Sequence, residues 1–70
     1  EPILEVAGRL MEDPDEMVQK GVGWLLKETH ARQPEAVVRF LEKWKKRTSR
    51  LLLRYAAEKM SDGERKRVLE

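Results

Sequence analysis

Seventy residues, 40% of them hydrophobic and 40% charged, can bury only a thin core, so the chain holds one domain at most, spanning residues 1–70. There is no cysteine, which excludes disulfides, thiol chemistry and cysteine-ligated zinc and leaves packing to hold the fold. The formal charge of +2 is too small by itself to identify a polyanionic partner.

That charge is unevenly spread. Residues 1–33 carry seven acids and four bases, net −3, whereas residues 34–70 carry six acids and eleven bases, net +5. The densest stretch, residues 39–54, sets seven cations against the single acid Glu42. It reads either as a set of phosphate contacts or as a solvated helix face. No apolar run approaches the roughly 18 residues of a membrane span, and the first residues do not resemble a signal peptide. A soluble, cytoplasmic protein is the expectation. The start on Glu1 rather than methionine suggests a fragment of a longer chain.

Proline and capping residues divide the chain, because proline fits the first turn of a helix and a nearby carboxylate or hydroxyl satisfies the free amides there. The expected helices are 2–12, then 14–32 with Asp13 as cap and Glu16 three residues on, then 34–47 opened by Pro34. A fourth, 49–60, has Thr48 or Ser49 as cap, and Ser61-Asp62-Gly63-Glu64 has the capping-box spacing of a short last turn. Apolar residues recur at helical spacing in Val18, Val22, Leu25 and Leu26, in Val37, Phe40, Leu41 and Trp44, and in Leu52, Leu53, Ala56 and Met60. Nothing alternates as a strand does, so the fold class is all-α. Short links favour antiparallel helix hairpins, the arrangement shared by bundles and stacked α-solenoids.

Trp24 does not fit the plain core. At 100° per residue, Val18, Val22, Leu25, Leu26 and Thr29 make the inward stripe of the second helix, and Trp24 projects from nearly the opposite side. Lys20 and Lys27 stand one turn before and after it, with Met17 and Ala31 a turn further out. Gly21 and Gly23 flank the ring although glycine costs about 1 kcal/mol in a helix interior, which suggests close approach by a backbone or a ligand. Two readings stay open for Trp24. It packs on a helix lying before Glu1, or it presents a π face to a base while the lysines reach phosphates. Trp44, by contrast, falls within its core stripe. Opposite that stripe Arg39, Lys43 and Lys46 mix with Glu35 and Glu42, whereas Arg50 and Arg54, one turn apart, are the better phosphate candidates.

The run Val18-Gln19-Lys20-Gly21-Val22-Gly23-Trp24-Leu25-Leu26-Lys27-Glu28 resembles the signature of the DNA alkylation repair protein family, a Q-K-A/G-x-G-W-x-L-[RK]-E pattern followed by a proline-started helix. The likeness continues through Pro34-Glu35-Ala36-Val37 and into Ser49-Arg50-Leu51-Leu52-Leu53-Arg54-Tyr55-Ala56. It implies a C-terminal portion built of HEAT-like repeats, an α-α superhelix fragment with a basic concave face. It also implies a glycosylase that excises cationic N-alkylated purines such as 3-methyladenine and 7-methylguanine in base excision repair. Trp24 then corresponds to the aromatic beside the lesion, Lys27 stands where many relatives have arginine and Arg54 matches a later arginine. With Lys20 and Arg50 added from helix spacing, Trp24, Lys20, Lys27, Arg50 and Arg54 are the expected DNA contacts, and alkylated double-stranded DNA the expected partner.

The family's catalytic aspartate and a further tryptophan come from a helix earlier than the signature. Asp13, Asp15 and Asp62 read as caps, so no catalytic residue is assigned and the fragment alone is expected to be inactive. His30 is the only histidine and has no second ligand at useful spacing, so no metal or cofactor is expected. The alternatives are a HEAT-like protein-binding scaffold and a catalytically inactive relative that binds unusual DNA structures. Apolar surface left by absent helices would favour self-association of the fragment.

Overall fold

The computed structural model describes residues 2–70, with the side chain of Pro2 left out. Five helices follow in order: α1 (Pro2–Leu10), α2 (Glu16–Arg32), α3 (Pro34–Trp44), α4 (Arg50–Ala56) and α5 (Asp62–Leu69), with no strand among the described residues. None is long and apolar enough to cross a membrane.

The caps explain where helices begin. α2 starts at Glu16, with Asp15 in extended conformation accepting the Met17 N–H at 2.8 Å. The cap expected at Asp13 therefore moves two residues on. Asp13 instead accepts the Asp15 N–H at 2.8 Å and pins the turn before the helix. Pro34 opens α3 directly after Gln33. Ser49 caps α4 through the Leu52 N–H, and Ser61 and Glu64 form the expected capping box, so the last element is a helix of 8 residues rather than a weak turn.

The ends fall short of the expected bounds. α1 stops at Leu10, α3 at Trp44 and α4 at Ala56, each running into a tight turn. The last turns are remade by side-chain contacts made past the helix ends. Thr48 leaves the α3 direction to donate its hydroxyl to the Met11 carbonyl at 2.6 Å. Past α4, Met60 is buried, which carries the chain inward before the Ser61 cap.

The core gathers Ala7 and Met11 from the first segment, Val22 and Leu26 from α2, and Val37, Val38 and Leu41 from α3. Leu52, Leu53, Ala56, Ala57 and Met60 join from the fourth segment and Val68 from α5. Trp44, expected in the core, lies half-buried at its edge: its ring meets Phe40 at 6.3 Å between centroids, and the Arg47 guanidinium covers it at 4.4 Å.

α2 and α4 make the closest crossing. Gly23 faces Leu52, Tyr55 and Ala56, and one turn on Lys27 reaches Glu58 just past α4, so contacts advance along both segments together and the two helices run parallel, while His30 further on reaches Glu64 in α5. α3 returns between them in sequence. It is flanked by α1, where the Phe40 ring approaches Gly8, and by α5, whose Arg67 binds Glu42 at 3.0 Å and Glu35 at 3.2 Å.

Much of the basic half is spent on this scaffold. Arg39 pairs with Glu35, Arg47 with Glu12, and Lys45 donates to the Arg67 carbonyl at 2.9 Å. The Arg67 guanidinium, donating to both carboxylates, holds Glu35 and Glu42 below the ordinary glutamate range and is itself pushed upward.

Candidate nucleic-acid interface

The outward face of α2 is set by its wheel. Val22, Gly23, Leu26 and Thr29 are buried, while Met17, Lys20, Gly21, Trp24, Glu28 and Ala31 are exposed. Trp24 is 55% exposed and Met17 76% exposed, which makes them, with Val6, the large apolar residues left open to solvent among the described residues. A free indole costs apolar exposure that Leu26, two residues on, avoids by burial.

The two glycines beside the ring separate by role. A Cβ at Gly23 would fall 2.6 Å from the Tyr55 Cβ and 3.0 Å from the Leu52 carbonyl oxygen, so this glycine is required by the approach of α4. At Gly21 nothing lies within 4 Å of where a Cβ would stand. The fold gives no internal reason for Gly21, which leaves open backbone on the same exposed face as Trp24.

The sequence-selected cations fare differently. Lys20 and Arg54 are exposed and make no hydrogen bond or ion pair among the described residues. Lys27 does not stand free: its side chain is 17% exposed, and its ammonium lies 3.0 Å from the Glu58 carboxylate in the turn after α4. Arg50 donates to the Leu69 carbonyl at 2.6 Å, at the end of α5. Lys20 and Lys27 thus share the Trp24 helix, Arg54 lies on the adjacent parallel helix, and Arg50 is tied to the C-terminal helix.

Glu58 and Tyr55 escaped the sequence reading. Both matter only through the crossing of α2 with α4, and no local pattern announces a contact between residues 27 and 58. The same holds for His30, whose Nε2 lies 3.2 Å from a Glu64 carboxylate oxygen. The Ser61 backbone N–H, together with the His30 ring, holds the Glu64 carboxyl below its usual range.

Chemically, the outward face of α2 offers an aromatic plane, the unpaired cation Lys20, a second cation, Lys27, on loan to a carboxylate, and an open stretch of helix backbone, while Arg54 adds an unpaired cation on α4. Asp15 is occupied as the α2 cap, Asp13 holds the turn before it, and Asp62 lies in the first turn of α5.

The family model described as DNA alkylation repair enzyme matches residues 1–60, which takes in α1 to α4 and stops before α5. No curated protein and no solved structure matches the chain.

Proposed function

The chain belongs to the DNA alkylation repair enzyme family, and on that footing we propose that its α2–α4 face is the DNA-facing part of a glycosylase that excises cationic N-alkylated purines in base excision repair. The observation that carries this reading is Trp24, 55% exposed on the side of α2 opposite the core, with the unpaired Lys20 one turn away. An indole offers a stacking surface to any base and a π face to a cationic one, while a nearby ammonium meets phosphate.

Alkylation turns the purine into a cationic leaving group, so the glycosidic bond is weakened before the protein acts. Positive charge grows in the transition state on the sugar side of that bond, where an aromatic face and a carboxylate suit it. Trp24 supplies the aromatic face. The resemblance assigns the carboxylate to an earlier helix, so the present residues are assigned binding and positioning rather than catalysis. Parallel α2 and α4 with α3 returning between them support the HEAT-like arrangement that such a face needs.

The test is affinity for a duplex bearing an abasic or alkylated site, measured across salt. It is expected to fall steeply as salt rises and to weaken in Trp24→Ala and Arg54→Ala. Affinity indifferent to salt would overturn the reading. That result would favour a protein-binding scaffold, for which the exposure of Met17, two turns before Trp24 on the same face of α2, speaks.

A further inference from the structure

Lys27 and Glu58 form an ion pair at the rim of the Trp24 face, 3.0 Å between Nζ and Oε1. The two partners are held unequally. The lysine side chain is 17% exposed, so its stem is packed and its ammonium fixed in place; the glutamate is 59% exposed, in the turn beyond the end of α4. Glu58 makes its one ion pair among the described residues with Lys27.

An exposed pair of this kind is weak, because water and salt screen it and the glutamate gains freedom on leaving. A phosphate oxygen makes a charge-assisted bond to an ammonium at least as well as a carboxylate does. The partner that yields is therefore the more exposed one, Glu58.

We propose that Glu58 is an intramolecular stand-in for a DNA phosphate at Lys27: it occupies the ammonium while the face is empty and is displaced when duplex DNA binds. This rests on the DNA-facing reading of Trp24 and deepens it. The carboxylate keeps Lys27 oriented yet opposes loosely placed polyanions, so only a duplex seated well enough to gain other contacts displaces it.

The experiment is a double-mutant cycle read by fluorescence anisotropy with a short duplex carrying an abasic-site analogue. Glu58→Gln is expected to tighten binding about fivefold at low salt, with the gain shrinking as salt rises. In a Lys27→Met background, which keeps the packed stem, Glu58→Gln is expected to change affinity by less than about twofold. Glu58→Ala provides a second removal of the carboxylate, and circular dichroism checks that each variant is folded.

Unchanged or weaker binding by Glu58→Gln overturns the proposal, since it makes the carboxylate irrelevant or a mere anchor. Equal tightening with and without Lys27 also overturns it, because the effect is then a general change of charge. Either result with binding that still depends on Trp24 removes this inference alone. A chain that binds no duplex, or binds equally well as Trp24→Ala, removes the DNA-facing reading and the inference with it.

Discussion

Gly23 lies so close to Tyr55 that a Cβ placed on it would stand 2.6 Å from the Tyr55 Cβ, whereas a Cβ on Gly21, half a turn away, would meet nothing within 4 Å. The contact fixes how near α4 comes to α2, and with it the distance across the Trp24 face. Gly23→Ala must push two helix backbones apart, since the Leu52 carbonyl oxygen is also 3.0 Å away, and a carbonyl in a helix cannot step aside. It is expected to destabilise the fold by about 1–3 kcal/mol, outweighing the gain in helix propensity. Gly21→Ala keeps that gain unopposed and is expected to stabilise by about 0.5–1 kcal/mol. Urea unfolding of the two variants checks the contrast, and equal shifts would count against the close crossing.

Arg67 joins α5 to α3 by donating to both Glu35 and Glu42, and it holds both carboxyls below the usual value of 4.5. A carboxyl depressed by folding contributes stability that is fully present above its unfolded pKa and is lost as pH falls through the folded value. The melting temperature is therefore expected to stay level down to about pH 5 and to fall below about pH 4.5. Arg67→Met is expected to lower it at neutral pH and to flatten the acid limb. An unchanged acid limb in that variant, by thermal denaturation across pH, would show that the pairing contributes nothing.

Those pairs also mark where the sequence was legible. Helix starts were readable because a cap acts within three residues: Ser61 and Pro34 stand where they were expected, Ser49 is the cap of α4 where Thr48 or Ser49 was left open, and the Asp13–Asp15 choice failed, since two aspartates on either side of Pro14 compete for one role. Helix ends were less readable, because Thr48 donates to the Met11 carbonyl far back along the chain, and Met60 is buried past the end of α4 rather than on it. The outward position of Trp24 followed from the wheel alone. What Lys27 and Arg50 do with their charges did not, as Glu58 and the Leu69 carbonyl reach them only once the helices pack.

Arg50 and Arg54 look equivalent by spacing and differ in what they touch. Arg50 donates to the last turn of α5, while Arg54 has no partner among the described residues. Arg54→Ala is expected to leave stability within about 0.5 kcal/mol and to reduce the slope of log affinity against log salt by about one phosphate contact. Arg50→Ala is expected to act first on stability, lowering it by about 1 kcal/mol through the lost charged hydrogen bond. Salt titrations of duplex binding beside urea curves separate the two. A larger salt effect from Arg50 would reverse their assignment.

The two tryptophans offer the sharpest contrast between fold and face. Trp44 packs against Phe40 and under Arg47 at the edge of the core, so Trp44→Ala empties space that neighbours fill only in part and is expected to cost about 2–4 kcal/mol. Trp24 is 55% exposed, so Trp24→Ala is expected to cost less than about 1 kcal/mol while lowering duplex affinity by roughly tenfold, the loss of about one stacked base. Trp24→Phe keeps a smaller ring and is expected to recover part of the affinity. Stability curves and anisotropy titrations on the same four proteins decide the matter: if Trp24→Ala unfolds the chain as Trp44→Ala does, the indole belongs to the core, and the DNA-facing reading of α2 fails.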